Sequence, residues 1–112
     1  MSYQATFVHE GRTIDYTPAA DIAGGEVVVQ GDLIGVAVRA IAANTTGSLA
    51  VTGVFDFAKA TGVGTGITAG ATVYWDNANN VATTTAAGNK VLGKVVKAAA
   101  DADTTVRVRM AQ

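Results

Sequence analysis

A run of glycines raises the first chemical question. Gly64-Thr65-Gly66-Ile67-Thr68-Ala69 satisfies the pattern G-x-G-x-x-A, and such loops cradle phosphate when the amides of a succeeding helix face it. The next residues are Ala71-Thr72-Val73-Tyr74-Trp75, a β-branched and aromatic run that predicts a strand. The Gly-Lys-Ser/Thr of a Walker loop is missing as well. The stretch reads as a connector. Nucleophilic chemistry has little to draw on: the serines are Ser2 and Ser48, and His9 is the one histidine. Zero cysteines exclude a disulfide framework, a thiolate zinc site and a cysteine nucleophile. A single histidine excludes any site needing two imidazoles from one chain. Asp101 with Asp103, or Asp15 with Asp21, could pair as carboxylates, but the first pair sits in an Ala-rich turn and reads as solvated. Asp76-Asn77-Ala78-Asn79-Asn80 has the look of a calcium loop, with Ala where an oxygen ligand belongs and no Gly or Glu in register. No catalytic residue, metal ligand or cofactor is expected, and the chain does not read as an enzyme.

Contact chemistry offers more. Alternation puts Arg107 and Arg109 on one face of the last strand and Val106, Val108 and Met110 on the other. By the same rule Lys94 and Lys97 fall on opposite faces of the preceding strand, so at most one joins the arginines. No stacking aromatics are interleaved with these bases, as single-stranded nucleic acid would want. The aromatics are Tyr3, Phe7, Tyr16, Phe55, Phe57, Tyr74 and Trp75. Phe55 and Phe57 share a face, whereas adjacent Tyr74 and Trp75 point oppositely, so one must look outward or into another copy. The candidate interface is therefore Tyr3, Phe7, Tyr16, Tyr74, Trp75, Arg107 and Arg109. The plainer reading makes these ordinary packing and solvated residues.

Strands must position these side chains, because period-2 patterning dominates. Residues 26–30 form a β-branched run that Gly31-Asp32 turns into residues 33–39, a hairpin. Residues 48–57 read as one strand with a bulge at Gly53. Residues 71–75 and 81–85 flank the polar turn 76–80, and further strands lie at 91–97 and 104–110. Upstream, residues 3–8 and 12–16 look extended and join at Glu10-Gly11. Helix has room for one turn at residues 57–61 and another at 41–44. Short strands at this spacing predict an all-β fold, a small single-domain barrel or sandwich of antiparallel strands. An internal echo runs through it. Ile22-Ala23-Gly24-Gly25-Glu26-Val27-Val28 matches Ile67-Thr68-Ala69-Gly70-Ala71-Thr72-Val73 as I-x-x-G-x-x-V. Ile34-Gly35-Val36-Ala37-Val38 resembles Leu92-Gly93-Lys94-Val95-Val96, and Ile41-Ala42-Ala43-Asn44 is a third partial copy with Asn at the turn position.

At 112 residues the chain has room for one core, so residues 1–112 form a single β domain. Residues 1–21 are its candidate extended N-terminal arm. With 49% hydrophobic and 15% charged residues it is not a disordered tail. No apolar run nears the roughly 18 residues that span a bilayer, and Met1-Ser2-Tyr3-Gln4 lacks the start of a secretory signal. A membrane partner is not expected. Net charge is −1, which points to no nucleic acid in bulk. Its distribution is uneven: residues 1–56 carry six acids and two bases, residues 57–112 three acids and six bases. Either the poles of neighbouring copies meet head to tail in a ring, or the fold interleaves the halves and no pole exists.

Glu10-Gly11-Arg12-Thr13-Ile14-Asp15-Tyr16-Thr17-Pro18-Ala19-Ala20, then the first I-x-x-G-x-x-V turn, Gly31-Asp32-Leu33-Ile34-Gly35-Val36-Ala37, Gly53-Val54-Phe55 and Gly70-Ala71-Thr72-Val73-Tyr74-Trp75-Asp76, form an ordered series. It resembles the small capsid cement, or head decoration, proteins of tailed bacteriophages and prophages. The likeness covers nearly the whole chain, and its specificity lies in the order and spacing of short glycine motifs. It implies an all-β domain without catalytic residues or cofactors, a homotrimer made in the bacterial host cytoplasm. Its partner would be the major capsid protein of a phage head, and its place the outer capsid surface of the virion. The N-terminal segment would then be an arm that packs on the shell or on a neighbouring copy. The alternative is a small β-barrel module that binds nucleic acid or another ligand through Arg107 and Arg109.

Overall fold

The computed structural model describes residues 4–111. Nine strands form among them: Thr13–Tyr16 (β1), Val27–Gln30 (β2), Leu33–Ala37 (β3), Gly47–Ala50 (β4), Gly53–Ala58 (β5), Thr72–Asp76 (β6), Val81–Thr83 (β7), Lys90–Lys97 (β8) and Thr105–Met110 (β9). There is no helix among the described residues. The expected turn at 57–61 is sheet, because the Lys59 amide donates to the Thr104 carbonyl and Lys59 bridges Ala82. At 41–44, Ile41 bridges Ile22 and Asn44 turns left-handed at φ +63°.

The two sheets divide the chain near its middle. One has four strands in the order β1-β4-β3-β2, the other five in the order β5-β9-β8-β6-β7, all antiparallel. The expected single strand over 48–57 is cut in two. β4 ends at Ala50, and β5 begins at Gly53 (φ +122°) in the other sheet. Period-2 patterning runs across the cut, but Leu49 serves one core and Phe57 another. Because the break falls there, most of the acidic half lies in or before the four-stranded sheet and the basic half in the five-stranded one, Asp56 on β5 being the exception. Upstream, residues 4–8 form no strand and only Thr13–Tyr16 pairs, whereas Tyr3 lies outside the described residues.

Alternation gives the four-stranded sheet two apolar faces. Ile34 and Val36, with half-buried Val27 and Val29, face the five-stranded sheet and join Phe57, Val73, Trp75, Leu92, Val95, Val106 and Val108 in the main core. Leu49 and Ala37 point the other way, where Ile22 and Ile41 cover them and Ile14, Tyr16 and Val28 pack alongside. The five-stranded sheet curls until Lys59 beyond β5 bridges Ala82 of β7, without closing into a barrel. The result is a sandwich whose main core lies between the sheets.

The internal echo is reproduced bond for bond. Gly25 and Gly70 adopt φ +87° and +86°, a region open to glycine at little cost. The Gly25 amide donates to Ala37 and the Gly70 amide to Val95, while Ala37 and Val95 donate back to Glu26 and Ala71 at 2.9 Å each. Ile22 exchanges two bonds with Ile41, as Ile67 does with Ala99. The third copy has Asn44 in the glycine place, its amide donating to Pro18.

Candidate interaction surfaces

The outer face of the five-stranded sheet is built by alternation and one irregularity. On β9, Val106, Val108 and Met110 are buried while Thr105, Arg107 and Arg109 are exposed. Lys94 stands opposite Arg109, and Lys97 stands opposite Arg107, because the register shifts between Val95 and Lys97 and leaves Val96 as an extra residue. Cross-strand partners share a face. Lys94, Lys97, Arg107 and Arg109 therefore lie together on one exposed face, which corrects the expectation that Lys94 and Lys97 oppose each other. Strict alternation fails there because a bulge moves one residue out of phase.

Two rows of this face can be read across the sheet. Val54, Arg109, Lys94 and Thr72 form one, Asp56, Arg107 and Lys97 the other. Arg107 donates from Nε and its terminal nitrogen to the two Asp56 oxygens at 3.0 and 3.2 Å. That fork holds the Asp56 carboxyl below its ordinary range, with a smaller contribution from Lys97, and makes Arg107 hold its proton more firmly. Lys94 Nζ donates to the Thr72 hydroxyl. Arg109 has no carboxylate partner among the described residues. Tyr74 pairs with Val91 and Thr83 on the same face, and exposed Val54, Val91 and Val96 add apolar area. The face thus presents four cations, one anion and a tyrosine rim.

Trp75, the other half of the adjacent aromatic pair, is withdrawn. It is 4% exposed, sits 5.9 Å from the Phe57 ring, and donates its indole N–H to Asn77 at 3.2 Å. The expectation of a contact residue at Trp75 is corrected: the alternation that turns Tyr74 outward turns Trp75 into the core. Tyr16 is half-buried against the smaller apolar cluster. Phe7 is 80% exposed, in the strandless segment before β1.

A cleft of about 730 Å³ opens between the sheets, where β2 and β5 are edge strands. Val27, Val29, Phe55, Phe57 and Trp75 line its floor. Its charged residues are Asp21, Glu26 and Asp56, with no lysine or arginine. Asp21 is partly engaged, accepting from the Ala43 amide at 2.8 Å.

The chemistry-bearing motifs resolve into structure. Asp101 accepts from the Gly66 amide at 2.7 Å, and the Thr65 hydroxyl donates to the Asp101 and Gly62 carbonyls, so the glycine stretch is stapled to a neighbouring turn. Asp103 accepts from the Ala100 amide. Asp76 accepts from the Asn79 side chain and from the Asn79 and Ala78 amides, which lowers its pKa. His9 donates to its neighbour's carbonyl, and Ser48 faces Asp15 across β1 and β4. Sequence reasoning overlooked Lys59, which is 5% exposed and donates to the Ala60 and Asp103 carbonyls and Thr65. Its partners lie up to 44 residues away, beyond any local signal. Among the described residues, no three or more His, Cys, Asp or Glu side chains are grouped to hold a metal ion, and no helix is long and apolar enough to cross a membrane.

No curated protein and no solved structure matches the chain. A family model described as phage cement protein matches residues 8–110, from the free N-terminal segment through the last basic strand. The chain belongs to the phage cement protein family.

Proposed function

We propose that the protein binds the outer surface of a phage head through the major capsid protein and stabilises the shell, as a homotrimer made in the host cytoplasm. The family match over residues 8–110 carries this reading. The basic face of the five-stranded sheet is the surface offered to the shell, with Arg109, Lys94 and Lys97 forming contacts to an acidic partner and Tyr74 at the rim. Many weak contacts repeated over a lattice stabilise it by mass action. Residues 4–12 supply the arm, which bears exposed Phe7 and Val8. The test is co-sedimentation with expanded heads that lack the protein. Saturable pelleting at a fixed ratio to the major capsid protein is expected. Well-formed heads that pellet without it would overturn the reading.

One observation favours a second reading. The bulge at Val96 gathers four bases beside Tyr74, a footprint that also fits nucleic acid. Salt-dependent retention on DNA, lost in Arg107→Ala plus Arg109→Ala, would favour it over the capsid.

A further inference from the structure

The chain contains its own precedent for covering a strand edge. In the second copy of the repeat, β6 is flanked on its outer side by β7, which pairs Ala82 with Trp75. In the first copy, the corresponding strand β2 has no such cover and is an edge of its sheet. Ala37 donates to Glu26, and alternation from that bond leaves the N–H and C=O groups of Val27 and Val29 aimed away from β3. They face the cleft whose floor is Val27, Val29, Phe55, Phe57 and Trp75. A strand is missing where the repeat calls for one.

The same chain has an exposed segment without a strand partner. Residues 4–10 form no strand, and Phe7 and Val8 are 80% and 82% exposed. The segment enters at β1, the edge opposite β2, with β4 and β3 between. Reaching its own cleft would mean crossing about 14 Å of sheet, three strand spacings. One face of that sheet is covered by Ile22 and Ile41 and the other by the five-stranded sheet. A path within one chain has to pass β4 and β3, whereas the β2 edge of another copy is open to the segment directly. Charge does not oppose an incoming segment: residues 4–12 hold one acid, Glu10, one arginine, Arg12, and His9, while the cleft lining carries Asp21 and Glu26 without a lysine or arginine, the Asp56 carboxylate being held by Arg107 on the outer face.

We propose that the N-terminal segment of one copy adds as a strand along β2 of the next, seating Phe7 on Val27, Val29 and Phe55. This is strand addition at an exposed edge. Because donor and acceptor lie on opposite edges of the sheet, the contact is head to tail, and it forms a ring where the rotation between copies closes, as in the proposed trimer. It rests on the oligomeric part of the proposed function, and not on capsid binding.

The absence of cysteine makes disulfide trapping clean. A size-tagged Phe7→Cys chain is mixed with Val29→Cys under oxidised glutathione, after circular dichroism confirms that both fold. A mixed disulfide well above that of Phe7→Cys with Ser48→Cys is expected, because Ser48 is exposed on β4 away from the cleft. In a chain carrying both Phe7→Cys and Val29→Cys, oxidation should yield covalent rings. Yields equal to the Ser48 control, or a disulfide closed within one monomer, would overturn the proposal. Light scattering gives a check free of cysteine: the full chain should be oligomeric and a chain lacking residues 2–10 monomeric. A monomeric full chain at tens of micromolar also overturns it. Heads that still bind such monomers would leave the capsid reading intact.

Discussion

The two copies of the repeat share their ends and differ in the middle. Ile22 to Val28 and Ile67 to Val73 make the same turn with the same φ, and Ala37 and Val95 close it with the same pair of bonds. Between Val28 and Ile34 the first copy turns tightly at Gly31-Asp32, while the second inserts thirteen more residues between Val73 and Leu92. The insertion is the Asp76–Asn80 turn, β7 and the loop to β8. It brings Ala82 against Trp75 and toward Lys59, and so curls its sheet around the main core. The short copy leaves β2 as an open edge. A turn motif thus sets how two strands pair, while the length between them decides whether the edge is covered.

The largest expected break comes from the paired glycines Gly35 and Gly93. A Cβ at Gly93 would collide with the Arg109 backbone, whereas one at Gly35 would press the Leu49 side chain at 2.8 Å. The Gly93 overlap is with backbone and is deeper, whereas the Leu49 Cβ is relieved by a shift of a few tenths of an ångström between β3 and β4. Gly93→Ala should therefore fail to fold or lose most of the stability, while Gly35→Ala costs roughly 1–3 kcal/mol in urea unfolding. Equal losses would contradict the contrast. Next come Trp75 and its counterpart Gln30. Trp75→Ala removes a core ring and should cost about 4 kcal/mol, whereas Gln30→Ala, at an exposed position, should stay within about 0.5 kcal/mol. Gly25→Ala and Gly70→Ala sharpen the likeness instead. Both glycines have left-handed φ and open space, so each change should cost about 1 kcal/mol, equally within error.

The smallest effect concerns pH. Asp56 and Asp32 are held below their ordinary carboxylate range by hydrogen bonds from Arg107 and Lys90, and Lys90 lies 2.6 Å from Asp32. A depressed carboxyl contributes its stability above its unfolded value and loses it as pH falls through the lower folded one. Stability should thus be flat from neutrality to about pH 5 and decline below about pH 4. Both pairs are solvent-exposed, so the decline is shallow and weakens with salt. Asp32→Asn and Asp56→Asn should flatten it further, measured as urea midpoints against pH.

Legibility tracked sequence separation. The Gly31-Asp32 hairpin, the polar turn after Trp75 and the inward alternation of Val106, Val108 and Met110 were all readable, because each depends on a few adjacent residues. The echo at Ile22 and Ile67 was readable for the same reason. The break after Ala50 was not: Val51-Thr52 continues the alternation, and only the destinations of Leu49 and Phe57 show that the chain changes sheets. The basic face was half readable. Arg107 and Arg109 come from one strand, but Lys97 joins them through a bulge defined by pairing with β9. The burial of Lys59 and the cleft beside β2 arise from elements far apart in the chain.

The proposed function requires that the protein bind a phage head and stabilise its shell. Heads lacking the protein can be heated with and without it at saturating concentration, and genome release monitored with a DNA-binding dye. Release at a clearly higher temperature is expected for heads carrying the protein, with the gain reduced when Arg109→Glu and Lys94→Glu are combined. Release at the same temperature with the protein visibly bound would contradict it.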